Sequence, residues 1–218
     1  TFGGQVMKNV AGFDVSRLLA GSLGALGVLL EVSLKVQPKP AAVCTLAFDL
    51  DEADALRHMA DWRARPLPVS ATSWHDGRLH VRLAGANAAV REARIKLGGD
   101  DVDGEPFWQA LREQRDEFFN THELWRLSLP PSAPAVALGR QWIEWGGAQR
   151  WLHGTASADE IRHTATALGG HATRFRGGAR AGVFTPLSAP VMVIHRRLKA
   201  VFDPAGIFNR GRLYAELD

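Results

Sequence analysis

The 218-residue chain has a single cysteine, Cys44, which rules out an intrachain disulfide and a cysteine-built metal cage. One cysteine also fits a reducing compartment. No apolar run approaches the roughly 20 residues that a membrane-spanning helix needs. Charge is nearly balanced at +3, and the basic residues are scattered among acids. A nucleic-acid partner would call for a concentrated basic patch, so none is expected. No G-x-S-x-G supports hydrolase chemistry. The eight histidines form neither H-E-x-x-H nor a close carboxylate–histidine pattern, so they read as exposed or capping residues and no metal site is expected. Thr1 is not an initiator methionine, and no signal-peptide pattern follows it. The expectation is a piece of a longer protein.

What the chain does have is a core. At 46% hydrophobic and 22% charged residues it folds as one large or two small domains. Residues 1–40 are rich in glycine and aliphatics. Asp14 is placed to cap a short helix over VSRLLA that ends at Gly21, and Ser22 to cap one further turn that ends at Gly27. Val28, Leu30, Val32, Leu34 and Val36 then alternate with polar residues, which predicts a half-buried strand. Pro38 and Pro40 end it and mark a boundary. Residues 41–180 alternate strand and helix patterns, with a hairpin over Asp76-Gly77 and a Ser157-capped helix. That order predicts an α+β layer: an antiparallel sheet with helices on one face. No repeat shows by residue identity. Trp62, Trp108, Trp142, Trp145 and Trp151 read as core or interface anchors, and Cys44 as a small core residue. In residues 181–218, a helix over 188–202 is capped by Ser188. It puts Val191, Ile194, Leu198 and Val201 on one face, and His195, Arg196, Arg197 and Lys199 on a solvated one.

The stretch GSLGALG, residues 21–27, carries the candidate chemistry. Its spacing is G-x-x-G-x-x-G before a strand pattern, not the G-x-G-x-x-G after a strand that binds dinucleotides. Three missing side chains let a backbone or a flat ligand approach closely. Neighbouring helix amides bind phosphate oxygens, and Lys8 adds a positive charge. A tight packing corner with no ligand explains the glycines equally well.

Two segments resemble a known family. GGQVMKNVAGFDVSRLLAGSLGALGVLLEVSLKV is similar to the second half of the PCMH-type FAD domain of the flavin-dependent oxidases of the vanillyl-alcohol oxidase type. There, K-x-x-x-G-Y-D-L leads into G-S-x-G-x-L-G and a strand. HRRLKAVFDPAGIFNRGRLY resembles that family's closing helix and D-P-x-G-i-f-N-P-G-R loop. Phe13 and Arg210 stand where the pattern has Tyr and Pro. Leu23 replaces the glutamate usual in catalytic members, which points to the FAD-binding subunits that accompany them in bacterial 2-hydroxy-acid oxidase complexes.

The resemblance implies the second half of an FAD domain in 1–40, a ferredoxin-like α+β cap in 41–180, and a return to the FAD domain in 181–218. It implies that Lys8, Asn9, Val10, Gly12, Gly21, Ser22, Gly24, Gly27, Val28 and Asn209 line the FAD cleft. It implies a catalytic flavin subunit and an iron–sulfur subunit as partners, and a small 2-hydroxy acid such as glycolate as substrate. The implied location is cytoplasmic, or peripheral at the inner membrane through the complex. In this family the pyrophosphate loop belongs to the first half of the FAD domain, and no such loop occurs in these residues. The 218-residue chain is therefore expected to bind FAD weakly or not at all: calorimetric titration should show no saturation at micromolar FAD, since each lost contact removes about 1–3 kcal/mol.

Overall fold

A computed structural model describes residues 15–178 and 182–217. In chain order its elements are α1 (Val15–Leu19), β1 (Ala42–Asp49), α2 (Glu52–Arg63), β2 (Val69–His75), β3 (Arg78–Gly85), α3 (Asn87–Leu97) and β4 (Asp100–Val102). Then follow α4 (Glu105–Arg112), β5 (Leu124–Ser128), β6 (Arg140–Glu144), β7 (Gln149–His153), α5 (Ala158–Ala167), β8 (His171–Arg176) and α6 (Ala189–Phe202). The chain divides into two units, one of Thr1–Val36 with Ala179–Asp218 and one of Gln37–Gly178.

Local signals set the elements of the second unit. Asp51 caps α2 by accepting from the Asp54 amide at 2.8 Å, with Glu52 and Asp54 in the first turn and Arg63 in the last. Ser157 caps α5 by accepting from Glu160 N–H at 3.2 Å. Asp76 (φ 46°) and Gly77 (φ 80°) both take left-handed backbone in the two-residue β2–β3 loop, which matches the twist of the strands.

All eight strands form one sheet in the order β4-β1-β3-β2-β6-β7-β5-β8, and every pair is antiparallel. This order contains a repeat that residue identity conceals. β5, β6, β7 and β8 occupy, in mirror order, the places of β1, β2, β3 and β4, and α5 follows the third strand as α3 does. The halves meet where β2 pairs with β6, Trp74 opposite Ile143. The second half has no counterpart of α2. There the chain runs through Pro130, Pro131 and Pro134, and proline removes the amides that a helix interior requires.

Helices cover both faces, not the one face expected. Leu46, Leu79, Val81, Leu83 and Ile143 meet Leu56, Met59 and Trp62 of α2 and Val90 of α3. Trp125, Leu127 and Leu152 meet Ile161 and Ala165 of α5. Strand residues alternate in direction, so their neighbours point to the opposite face. That face is aromatic: Trp142, Trp151 and Leu124 lie under Leu111 of α4 and under Phe118 and Phe119. The indole N–H groups are satisfied there, Trp108 donating to Thr45 Oγ1 at 3.0 Å and Trp142 to Ser73 Oγ at 2.6 Å. His80 stacks on Phe107 at 3.9 Å, and burial, followed by the nearby Arg78 charge, lowers its pKa to about 4. Four of the five singled-out tryptophans are thus core or half-buried residues, while Trp145 is 71% exposed.

Arg150 is fully buried in this core. Its guanidinium donates to the carbonyls of Ala133 and Pro134, both at 2.7 Å, and of Gly147 at 3.2 Å. Glu52 lies 3.9 Å away. Arg150 therefore holds the proline-rich loop that stands in for the absent helix.

In the first unit several expectations fail. Residues 28–36 form no strand, and Leu30, Leu34 and Val36 are more than four-fifths exposed. Alternation makes a face for a sheet but cannot supply the neighbouring strand, and no ladder among the described residues includes this segment. Along α6 the apolar stripe is exposed at Ile194 (56%) and Val201 (76%), whereas Lys199, assigned to the solvated face, is the buried residue. Ser188 stands at the N-cap position with extended backbone, but its side chain makes no cap bond.

Arg150→Met should lower stability by about 2–4 kcal/mol, because three buried carbonyls lose a charged donor at once. Urea unfolding checks this as a fall in midpoint at unchanged slope.

Candidate functional site

The glycine stretch folds as two successive reversals. Gly21 (φ 80°) ends α1, and Ser22 N–H donates to Leu19 O at 3.1 Å. Ala25 N–H then donates to Ser22 O at 2.9 Å, closing a turn whose central residues Leu23 (φ 50°) and Gly24 (φ 73°) are left-handed. The expected second helical turn is therefore absent. A left-handed leucine costs about 1–2 kcal/mol, so outside contacts must hold this turn.

Those contacts come from the C-terminal segment. Asp203 closes α6; its carboxylate accepts from Ile207 N–H at 3.0 Å and Phe208 N–H at 2.9 Å. Burial raises the Asp203 carboxyl, but the Lys199 hydrogen bond, the two amides and the Lys199 charge outweigh it and hold the pKa at about 2. Lys199 Nζ donates to Asp203 Oδ2 at 2.6 Å, Phe208 O at 2.7 Å and Ala25 O at 2.9 Å. Asn209, left-handed at φ 36°, donates from Nδ2 to Leu23 O at 2.5 Å across 186 residues of sequence.

Gly24 sits between the two bridges. A Cβ there would stand 2.7 Å from Asn209 Nδ2, so the space of the missing side chain is taken up by protein. At Gly21 and Gly27 a Cβ would meet nothing within 4 Å. A cavity of about 310 Å³ opens beside Gly21 and Ser22, lined by Leu18, Ala25, Leu26, Phe184 and Tyr214 with His195 and Lys199 at its wall. Such a setting suits one side of a flat, largely apolar group. It suits the phosphates of FAD poorly, because the three donors of Lys199 are already committed. The residues fit FAD on one flank only.

Of the residues predicted from sequence, Gly24 and Asn209 meet directly, and Gly21 and Ser22 line the cavity. Gly27 and Val28 lie apart from that cavity's lining, and Val28 is 70% exposed. Lys8, Asn9, Val10 and Gly12 lie outside the described residues. Sequence reasoning missed Lys199 and Asp203. Their spacing, i and i+4 on one helix turn immediately before the D-P-x-G loop, was the available signal.

In the second unit, among the described residues, no three His, Cys, Asp or Glu side chains form a group able to hold a metal. Cys44 lies 3.6 Å from Asp101 Oδ1; burial first, then that carboxylate, raises the thiol pKa, the wrong direction for a nucleophile. His75 stacks on Trp142 at 4.3 Å, its Nδ1 donates to Gln141 O at 2.9 Å, and its Nε2 faces Arg140 at 3.3 Å. Asp76 engages that arginine at 2.5 Å, which leaves a satisfied ion-pair cluster at the strand ends.

An α+β chain whose two end motifs close on each other is the architecture defined so far, and known proteins identify its kin. Over 218 residues it is 50% identical to glycolate oxidase subunit GlcE of Escherichia coli, which makes it a homologue of that subunit. The match covers 99% of this chain and 61% of the relative, so the chain spans about three fifths of that protein's length. Shorter matches reach glycolate oxidase subunit GlcD of Bacillus subtilis, 43% identical over 53 residues (24% of this chain, 11% of the relative). Another is the mitochondrial D-lactate dehydrogenase [cytochrome] of Arabidopsis thaliana, 41% identical over 54 residues (23% and 10%). No protein-family model matches the chain.

Gly24→Ala should speed amide exchange at residues 23–25 and 207–209, because its Cβ displaces Asn209. Gly21→Ala, with open space, should disturb only its own turn. Hydrogen-exchange mass spectrometry separates them; equal effects at 207–209 would contradict the contact.

Proposed function

We propose that the chain is part of an FAD-binding subunit of a glycolate, or 2-hydroxy-acid, oxidase complex. The observation that carries this reading is the Asn209–Leu23 bridge beside Gly24, which joins the two motifs that resemble flavin-dependent oxidases. Relatives named for glycolate and D-lactate support a small 2-hydroxy acid as substrate. A catalytic flavin subunit and an iron–sulfur subunit are the proposed partners. The proposed setting is cytoplasmic, or peripheral at the inner membrane through the complex. Among the described residues no helix is long and apolar enough to cross a membrane.

FAD, when bound, supplies the hydride and electron chemistry. The chain's own residues shape one flank of its cleft. Gly21, Ser22, Gly24, Gly27, Val28 and Asn209 would form it, with Lys8, Asn9, Val10 and Gly12 proposed beside them. The bare backbone at Gly21 and Gly27 admits a flat group, and Asn209 braces the turn from behind. The phosphates need donors from beyond these residues, so the 218-residue chain by itself would be apo and inactive. Residues 1–40 and 181–218 would be the second half of a PCMH-type FAD domain. Residues 41–180 would be its cap, and the order β4-β1-β3-β2 supports a ferredoxin-like first half.

A non-catalytic scaffold subunit is the second reading. It is favoured by Leu23, 44% exposed and without a titratable group where catalytic members carry glutamate. A tryptophan-rich docking surface on the cap gains little support, since Trp62, Trp142 and Trp151 are in the core.

The full-length protein should purify yellow, with an oxidised-flavin absorbance spectrum, and Gly24→Trp should bleach it and slow glycolate turnover of the assembled complex. A colourless protein that still assembles, or unchanged turnover in Gly24→Trp, favours the scaffold.

A further inference from the structure

Lys199 is the one buried residue of α6, at 6% exposure, on a helix that leaves Val193 44%, Ile194 56% and Val201 76% exposed. Buried ion pairs are a poor means of stabilisation, because desolvating two charges offsets most of their attraction and an apolar pair of similar volume serves as well. A helix with apolar residues to spare has no need of a lysine to build an ordinary core. The geometry points to a different use. All three ammonium donors are spent, one on each of three segments: Ala25 O in the glycine stretch, Asp203 Oδ2 at the helix end and Phe208 O in the closing loop. Asp203 in turn fixes the Ile207 and Phe208 amides. The residue after Phe208 is Asn209, which reaches Leu23 O. Two bridges, Lys199 to Ala25 and Asn209 to Leu23, therefore straddle Gly24 and set the separation of the two loops.

We propose that Lys199 and Asp203 are positioning residues that hold the glycine turn and the Asn209 loop in register as one wall of the ligand cleft, with all three Lys199 donors spent on protein and none left for the ligand. The proposal rests on the flavin reading above. Lys199 acts through the Ala25 and Phe208 carbonyls, and Asp203 fixes the lysine and the loop amides. Apolar replacement would keep the helix and loosen the wall. Arginine would keep the charge, but its planar guanidinium cannot point donors at three acceptors converging on one ammonium.

The test uses the full-length protein with wild type, Lys199→Met, Lys199→Arg, Asn209→Ala and Lys199→Met combined with Asn209→Ala. FAD dissociation constants come from flavin fluorescence, and hydrogen exchange is followed at residues 23–25 and 207–209. Lys199→Met should weaken FAD at least about tenfold, the effect of one mispositioned contact of about 1.4 kcal/mol. It should also blur the resolved shoulder of the bound-flavin band and speed exchange in both loops, with exchange across the β-sheet unit unchanged. Lys199→Arg should fall between, and adding Asn209→Ala should cost less than it does in the wild type, because both bridges serve one wall. Should Lys199→Met fail to fold, the Lys199→Arg intermediate decides. Faster loop exchange with unaltered FAD affinity and spectrum overturns the positioning role and leaves a purely structural pair. A wild-type protein that takes up no flavin overturns the flavin reading and this role together.

Discussion

A cation removed from water must find acceptors for its donors, and in this chain loop carbonyls supply most of them. Arg150 in one unit and Lys199 in the other are both buried; Arg150 donates to three main-chain carbonyls of loops and turns, and Lys199 to two such carbonyls and to the Asp203 carboxylate. Carbonyls at a loop would otherwise face a low-dielectric interior unpaired. The cation and the loop therefore depend on each other. One such pairing fixes the proline-rich connection across the sheet unit, and the other ties the glycine turn to the C-terminal loop.

The sheet unit shows what that dependence allows. Its two halves share a strand order, yet only the first has a helix between its first two strands. Three prolines deny the second half that helix, and Arg150 reaches out of β7 to pin the loop in its stead. The aromatic layer on the opposite face follows from strand alternation: each strand that sends Leu79, Val81 or Ile143 toward α2 and α3 sends His80 or Trp142 the other way. Trp108, Trp142 and Trp151 are committed to this layer and Trp62 to the core under α2, which leaves Trp145 exposed.

The likeness to glycolate oxidase subunits and the geometry of the first unit bear on each other without coinciding. Identity to GlcE runs the length of the chain, while the bridges that join its end motifs occupy a handful of residues. Half-open features remain around them: bare backbone at Gly21 and Gly27, exposed valines and leucines in 28–36, and an apolar stripe on α6.

Much of this was legible along the chain because the signals are local. Ser157 announces its helix and Asp76-Gly77 its hairpin, since caps and left-handed turns act within a few residues. Glycines at 21, 24 and 27 marked the candidate site in the same way. The strand pattern of 28–36 and the solvated face of α6 misled for one reason: periodicity tells which residues share a face, and only the fold decides what lies against it. That is why sequence offered the local Lys199–Asp203 spacing but could not pair Lys199 with Ala25, could not see the mirrored strand order, and left Gly24 undecided between ligand and packing. The tertiary structure filled Gly24 with Asn209 from 186 residues away and left Gly21 and Gly27 open, because a long-range contact is set by where two segments meet and not by either segment alone.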